Sequence, residues 1–179
     1  FDSLGRVIQI TSDLTVNTIV TITNDSTGIG GDDTITTGGG ADIVIGGMAT
    51  DTIHTESGDD IVTGDSATAT FDSDTGILRS IESITTGIGA ADTITTDEGA
   101  DIVIGGAADD TISTLLAEEA ERDIVAGDSV TITFDVDGDI SQLDSITTDI
   151  GDNDTITTGN GGDIVIGGAA ADTITTGTD

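Results

Sequence analysis

The sequence predicts an all-β fold from its composition and its repeated pattern. Ile outnumbers Leu by 27 to 6, Thr is abundant, and 26 glycines punctuate a chain of 179 residues that lacks proline. β-Branched residues favour strands, and glycine favours tight turns. An aspartate followed by a β-forming triplet also recurs along the chain. This recurrence indicates many short strands of equal length.

The chain is strongly acidic, with 35 Asp and Glu residues against three Lys and Arg and a formal net charge of -32. A basic face for nucleic acid is therefore excluded. The absence of cysteine and the single histidine exclude disulfides and metal sites built on thiolates or histidine clusters. No apolar run approaches the roughly 18 residues of a membrane span. Oxygen is the plentiful kind of metal ligand.

The motif repeats at two levels. It begins at Asp33 (DTIT), Asp42 (DIVI), Asp51 (DTIH) and Asp60 (DIVT), each nine residues after the last. The block of motifs then returns twice, at spacings of 59 and 62 residues. Its later aspartates are Asp92, Asp101, Asp110, Asp123, Asp154, Asp163 and Asp172. Nonapeptides therefore repeat within modules of about 60 residues.

Each of these aspartates ends a short glycine-rich loop, as in TGGGAD (37–42), GGMATD (46–51) and TGNGGD (158–163). The loops match the nonapeptide G-G-x-G-x-D-x-U-x, in which U is a large apolar residue. The sequence therefore resembles the RTX family of calcium-binding repeats over eleven units. The resemblance implies a right-handed parallel β-roll, or β-solenoid. In such a roll each loop turns the chain, each triplet is a strand, and two nonapeptides form one rung of 18 residues. The central triplet residues, Ile35, Val44, Ile53 and Val62, are then expected to point inward and their neighbours outward.

The resemblance also implies Ca²⁺ between loops of adjacent rungs, bound by aspartate carboxylates and loop carbonyl oxygens from both. Such hard oxygen ligands suit calcium better than magnesium. The implied carboxylate ligands are Asp33, Asp42, Asp51, Asp60, Asp92, Asp101, Asp110, Asp123, Asp154, Asp163 and Asp172. The implied loop glycines are Gly38, Gly40, Gly46, Gly58, Gly99, Gly105, Gly159, Gly161 and Gly167. The competing interpretation is that each aspartate only caps its own turn.

The two sets of loops do not match the family pattern equally well. Alanine stands at the third glycine position in the loops that end at Asp51, Asp110 and Asp172, so we expect weaker calcium sites there than at the other edge. Two further aspartates, Asp65 and Asp128, lie in Gly-Asp-Ser sequences at the ends of blocks. They are candidates to close the last calcium site of each block, and plain turn aspartates are the alternative.

The segments between the blocks share a plan of two alternating runs around an Asp/Gly turn, which predicts hairpins. Their DSDTG and DVDGD turns resemble half of an EF-hand loop, but the glutamate at its twelfth position is missing, so we favour plain turns. The chain also looks like an excerpt from a longer tandem array. We expect a partial module at 1–29, nonapeptide blocks at 30–66, 89–129 (with an insertion at 114–122) and 151–179, and inter-block segments at 67–88 and 130–150.

The outward residues of the two triplet types differ, with threonines on one sheet and isoleucines such as Ile43 and Ile45 on the other. A row of isoleucines needs a cover, so we expect the inter-block hairpins to fold over it, with lateral self-association through this face as the alternative. We also expect the blocks to form one continuous rod rather than separate beads. If the inter-block segment adds a strand to each sheet, each module contributes three rungs.

No catalytic function is expected, because the one histidine, His54, replaces a threonine of the repeat and no base–nucleophile pair is evident. The favoured function is a calcium-binding structural module of a large adhesin-like protein, whose partners are neighbouring repeats. The alternatives are the C-terminal folding and secretion domain of an RTX toxin or hydrolase and, as a minor one, an ice-binding solenoid. The resemblance implies a bacterial protein located outside the cell or at its surface.

Overall fold

A computed structural model describes residues 10–11, 21–23, 30–84, 86–114, 121–146 and 151–178. All seventeen elements in these ranges are β-strands, which confirms the all-β prediction. The described ranges contain no helix of the length and apolarity that crossing a membrane requires. Residues 115–120 of the predicted insertion and nearly all of the partial module at 1–29 lie outside the described residues.

The triplets that begin with threonine form one parallel sheet, the threonine sheet. Its strands pair in register, so that Ile35 lies opposite Ile53 and Ile53 opposite Ile94. They are β3 (Thr34–Thr36), β5 (Thr52–His54), β9 (Thr93–Thr95), β11 (Thr111–Thr114), β15 (Thr155–Thr158) and β17 (Thr173–Thr175). The outward threonines therefore form two columns, and His54 and Ser113 interrupt one of them.

The triplets that begin with isoleucine and have valine at the centre form a second parallel sheet, the isoleucine sheet. Its parallel strands are β4 (Asp42–Ile45), β6 (Ile61–Thr63), β10 (Ile102–Gly106), β12 (Ile124–Asp128) and β16 (Ile164–Ile166). At one end β1 (Ile10–Thr11) pairs with β4 in the antiparallel sense. Strands of successive blocks pair directly, with Val62 opposite Val103 and Val125 opposite Val165. The blocks therefore form one continuous parallel roll, as expected.

The two sheets enclose a narrow core made by the central residue of each triplet. This position alternates between isoleucine in the threonine sheet and valine in the isoleucine sheet, because successive side chains of a strand point to opposite faces. The buried members of this core are Ile35, Val44, Ile53, Val62, Ile94, Val103, Ile112, Val125 and Ile156. The inward orientation predicted for the central triplet residues is confirmed.

The inter-block segments do not add a rung, so the expectation of three rungs per module is wrong. They form a third, antiparallel sheet in the order β14-β13-β8-β7-β2. Its strands are β2 (Thr21–Thr23), β7 (Ala67–Phe71), β8 (Leu78–Ser83), β13 (Val130–Phe134) and β14 (Ile140–Ser145). In each inter-block segment the two runs lie on either side of a tight turn and pair with each other as a hairpin. Each module therefore adds two rungs, roughly 10 Å of roll.

The turns of these hairpins are closed by aspartates at their first position. Asp72 Oδ1 accepts hydrogen bonds from the backbone N–H groups of Asp74 and Thr75, at 3.0 and 2.9 Å. Asp135 Oδ1 accepts from Asp137 and Asp139 in the same way. These carboxylates are occupied by their own turns, which agrees with the preference for plain turns over half of an EF-hand.

The hairpins cover the outer face of the isoleucine sheet, as predicted. Ile81 and Ile132 of the hairpins are buried against Ile104 and Ile124 of the roll, with Phe134 packed beside them. Successive hairpins also pair with each other, with Ile81 opposite Ile132. The hairpin sheet therefore supplies a second hydrophobic layer that runs across the junction between modules.

Candidate metal-binding edges

The loops that join the two parallel sheets stack into two edges of the roll, which we name by the first loop residue. Loops of the glycine edge begin at Gly46, Gly64, Gly105, Gly127 and Gly167. Loops of the threonine edge begin at Thr37, Thr55, Thr96, Thr114 and Thr158. Both hairpins are insertions in glycine-edge loops, which span residues 64–92 and 127–154.

The loop-ending aspartates form a continuous row at each edge. In every link the backbone N–H of one aspartate donates to Oδ1 of the aspartate in the next rung, over 2.7–3.1 Å. The glycine-edge row has five links along Asp33, Asp51, Asp92, Asp110, Asp154 and Asp172. The threonine-edge row has four links along Asp42, Asp60, Asp101, Asp123 and Asp163. Aspartates one 18-residue rung apart within a block, such as Asp33 and Asp51, are therefore neighbours, as the resemblance implies. The rows also contain links between blocks, such as that from Asp51 to Asp92.

The second oxygen of most of these carboxylates is buried without a partner. This holds for Oδ2 of Asp42, Asp51, Asp60, Asp92, Asp101, Asp110, Asp154 and Asp163. A buried acceptor with no donor typically costs about 1–3 kcal/mol, and more when it is charged. These oxygens therefore need either a proton or a cation.

Burial makes the ionised carboxylates costly, most strongly at the glycine edge. Desolvation raises the pKa of Asp92 to about 8 and of Asp110 to about 9, and the charges of neighbouring aspartates add to the rise. The pKa of Asp154 is raised to about 7 for the same reasons. A divalent cation would reverse this effect, because it stabilises the ionised form.

Carboxylate and carbonyl oxygens converge on the glycines that begin the glycine-edge loops. A Cβ on Gly105 would lie closer than 3.0 Å to both Asp110 Oδ2 and the carbonyl oxygen of Gly127. The same crowding recurs at Gly46 and Gly64. Two oxygen acceptors therefore face the same position at successive rungs, and only glycine fits beside them.

Asp65 and Asp128 lie at the glycine edge and are held by loop amides. Asp65 Oδ2 accepts from the N–H of Ala107 at 2.7 Å, and Asp128 Oδ2 accepts from Ala169 at 2.6 Å. In both residues Oδ1 is buried without a partner. Burial raises the pKa of Asp65 to about 7, and the charge of Asp51 contributes. Both aspartates therefore orient an unpartnered oxygen within this edge, and their role as calcium ligands stays a prediction.

The predicted glycines occupy different positions in their loops. Gly46, Gly105 and Gly167 come first in glycine-edge loops, and Gly38 and Gly159 come second in threonine-edge loops. The fourth position of threonine-edge loops has positive φ and holds Gly40, Gly58, Gly99 and Gly161. At the glycine edge Ala108 and Ala170 adopt positive φ at this fourth position, at 81° and 71°. These two alanines thus preserve the loop conformation that glycine would give.

The sequence analysis missed the threonines that begin the threonine-edge loops. Thr55, Thr96 and Thr114 are fully buried near the aspartates of their own loops. Burial raises the pKa of Asp60, Asp101 and Asp123, and the nearby threonine hydroxyls oppose that rise. A signal was present in the sequence. In the strands of the threonine sheet the residue after the Thr-Ile-x triplet is always threonine, whereas the third triplet position varies among Thr, Ser and His.

The glycine edge fits a calcium ion in the chemistry of its donors. Calcium takes six to eight oxygen ligands, typically carboxylates and backbone carbonyls. In the described ranges no three His, Asp or Glu side chains meet closely enough to hold a metal by themselves. The carbonyl oxygens beside Asp51, Asp92 and Asp110 are therefore the further donors available to a cation at this edge.

The comparison with protein families identifies the same repeat. A family model described as RTX calcium-binding nonapeptide repeat (4 copies) matches residues 27–62, 86–115 and 150–179, more than half of the chain. No curated protein and no solved structure matches the chain. The matched ranges follow the nonapeptide blocks and leave out most of the two hairpins.

Proposed function

Because the chain belongs to the RTX calcium-binding nonapeptide repeat family, we propose that it is a calcium-stiffened structural module of a large secreted or cell-surface protein. The observation that carries this proposal is the continuity of the roll and of its aspartate rows. Asp51 links to Asp92 and Asp110 links to Asp154 across block boundaries, in the same way as links within a block. Cations bound along such a row would hold neighbouring modules and neighbouring rungs alike.

The hairpin sheet supports a mechanical role because it joins modules independently of the aspartate rows. Arg79 in the first hairpin donates to Asp72 Oδ2 at 3.0 Å and also to the backbone carbonyl of Asp135 in the second hairpin. Ile81 and Ile132 pair across the same junction. Three sheets therefore cross the boundary between the first and second nonapeptide blocks, which limits bending there.

Calcium would act as the missing countercharge. With a net charge of -32, the folded chain keeps many carboxylates at close range, and two of them about 5 Å apart repel by roughly 3 kcal/mol at an effective dielectric near 20. Extracellular calcium modules work at submillimolar to millimolar calcium. We propose that the chain stays unfolded at low calcium before export and folds outside the cell, where its partners are neighbouring repeats of the same polypeptide or filament.

The proposal assigns the chain no catalytic step. His54, the only histidine, forms a partly exposed ion pair with Asp97 at 3.2 Å on the threonine sheet, beside no candidate nucleophile that it contacts. The carboxyls with a raised pKa all belong to the two aspartate rows or lie beside them at the glycine edge. A lateral contact through the face of Ile43 and Ile45 stays a prediction, and both side chains are largely buried.

The test is calcium-dependent folding of the whole chain. Adding millimolar Ca²⁺ to calcium-free protein is expected to raise the β-sheet circular dichroism and the melting temperature, because a ligand that binds only the folded state stabilises it. An equal concentration of Mg²⁺ is expected to do much less. Hydrogen exchange is expected to show the strands of all three blocks becoming protected together. Spectra that do not change with calcium would refute the calcium role, and blocks protected one at a time would refute the stiff module.

A further inference from the structure

Each hairpin leaves the roll at the second residue of a glycine-edge loop. In the loops that carry no hairpin this residue is a glycine with positive φ, at Gly47, Gly106 and Gly168. In the two loops that carry a hairpin it is Asp65 or Asp128, neither of which has positive φ. The residue at this position therefore differs between loops in which the chain crosses the edge and loops in which it departs outward.

The aspartate is the last residue that is hydrogen-bonded in register with the roll. The backbone N–H of Asp65 donates to the carbonyl oxygen of Gly105 in the next rung, at 3.2 Å. The following residue already belongs to the hairpin, because the carbonyl oxygen of Ser66 accepts the N–H of Ile84 at 3.1 Å. The second hairpin repeats this arrangement at Asp128. Each aspartate thus lies where the backbone pairing of the roll ends and that of the hairpin begins.

The carboxylate of each aspartate binds the glycine-edge loop of the next rung. Asp65 Oδ2 accepts the N–H of Ala107 at 2.7 Å, and Asp128 Oδ2 accepts that of Ala169 at 2.6 Å. The two aspartates are buried, with only 4% and 2% of their surface exposed. Hydrogen bonds to carboxylates are stronger than those between neutral groups, and a buried N–H that loses its acceptor is costly. Removal of either carboxylate is therefore expected to weaken the contact between rungs.

The same carboxylate fills the space between two further segments of the chain. A Cβ on Gly106, in the next rung, would lie closer than 3.0 Å to Asp65 Oδ2. A Cβ on Gly89, where the chain returns from the hairpin, would collide with the same oxygen and with Asp65 Cγ. The equivalent glycines around Asp128 are Gly168 and Gly151. In both modules the departing segment, the returning segment and the next loop therefore meet at one carboxylate.

We propose that Asp65 and Asp128 are positioning residues that attach each hairpin to the roll and hold successive modules in register. The N–H groups of Ala107 and Ala169 belong to the block that follows each aspartate, so both hydrogen bonds cross a module boundary. The contact through Oδ2 uses a protein N–H and needs no ion, and it therefore goes beyond the proposed calcium function. The predicted role as a calcium ligand concerns the other oxygen, Oδ1, which has no partner in either residue.

The first test separates the hydrogen bond from the charge of Asp65, by urea unfolding of the whole chain in millimolar calcium. Asp65→Ala is expected to raise the equilibrium constant of unfolding about tenfold and to accelerate hydrogen exchange at Ala107 and Ile84. Asp65→Asn keeps an oxygen that can accept the N–H, so it is expected to recover most of the loss. Asp59→Asn is the matched control, because Asp59 accepts the N–H of Ala100 at 3.0 Å from an exposed position. This control is expected to change the constant by less than about twofold.

Two outcomes of this comparison would overturn the inference. One is wild-type stability in Asp65→Ala. The other is a loss in Asp65→Asn as large as that in Asp65→Ala, because the charge and not the accepted hydrogen bond would then matter. A wild-type chain whose stability calcium does not change would instead refute the proposed function, and the comparison between these variants would still decide the inference.

The second test asks whether the carboxylate lies between the departing and returning segments. Gly89→Ala places a Cβ against Asp65 Oδ2, so we expect it to raise the equilibrium constant of unfolding at least about tenfold. In an Asp65→Gly background the colliding atoms are gone, and the same substitution is expected to change the constant by less than about threefold. Gly162→Ala is the control, because a Cβ there meets nothing within 4 Å, and its small effect is expected to be equal in both backgrounds.

The double variant decides the result if Gly89→Ala alone does not fold. Recovery of folding when Asp65→Gly is added supports the inference, since only the side chain of residue 65 has been removed. An equal loss from Gly89→Ala in both backgrounds, or no recovery of folding in the double variant, would show that the returning segment does not pack on this carboxylate and would overturn the inference.

Discussion

Without calcium, the stability of this protein is expected to fall as the pH rises. Burial raises the pKa of Asp92 to about 8, of Asp110 to about 9 and of Asp154 to about 7, from an ordinary value of 3.8. Between pH 5 and 6 the folded chain therefore keeps these three protons, whereas the unfolded chain has released them. Each such carboxyl lowers the free energy of unfolding by roughly 1.4 kcal/mol per pH unit. Because the three titrations are coupled, about 4 kcal/mol per unit is an upper limit.

The sign reverses when calcium is present, because calcium binds the ionised carboxylates and competes with protons. In the calcium-free chain the protonated carboxyls stabilise the fold fully below about pH 4, and this contribution is lost as the pH rises through 7 to 9. In the calcium-bound chain the bound ions stabilise the fold, and this contribution is lost as the pH falls.

The measurement is urea unfolding followed by circular dichroism from pH 5 to 8, on dialysed calcium-free protein and in millimolar calcium. A calcium-free midpoint that is constant or rises with pH would refute the reasoning. The exposed carboxylate variant Asp144→Asn serves as the control and is expected to leave both pH profiles unchanged.

Three substitutions test the packing and the loops by chemical unfolding. Ile132→Ala is expected to cost about 2–5 kcal/mol because its side chain is fully buried between the hairpin and the roll, while Val136→Ala, in the exposed turn, is expected to cost almost nothing. Equal effects would mean that the hairpin does not cover the roll. Ala108→Gly is expected to stabilise the chain by up to about 1 kcal/mol by relieving a positive φ, whereas Ala107→Gly is expected to be neutral or destabilising. Arg79→Ala is expected to cost at most about 1 kcal/mol and to lose that effect at high salt, because its ion pair is partly exposed. A salt-independent loss of several kcal/mol would assign Arg79 a packing role instead.

Local features of the sequence were sufficient to predict much of the architecture. The nine-residue spacing of aspartates supported the family resemblance that implied parallel strands, and the alternation within each triplet predicted that Ile35 and Val44 face the core. Side-chain direction alternates along every strand, so the pattern fixes which residues are buried once the strands are located. The need to cover a row of isoleucines likewise predicted the position of the hairpins.

The sequence did not predict what the inter-block segments do to the roll. Their alternating pattern was compatible with strands of the roll and with a hairpin, and pairing between Ile81 and Ile132 of successive hairpins decided for a separate sheet. That contact joins residues 51 positions apart, so no local pattern contains it. The links from Asp51 to Asp92 and from Asp110 to Asp154 are hidden for the same reason.

The sequence by itself determined the all-β fold, the acidic oxygen-rich chemistry and the membership of a calcium-binding repeat family, because all three depend on residue type and short spacing. Only the tertiary structure decided how the two edges differ. The loops that begin with Gly105 and Thr96 have similar lengths and both end in aspartate, and the count of glycines does not reveal that Ala108 adopts positive φ. The φ angles and the burial of the threonine hydroxyl depend on how each loop stacks on the rungs above and below it. That stacking is a property of the assembled roll and not of the nonapeptide.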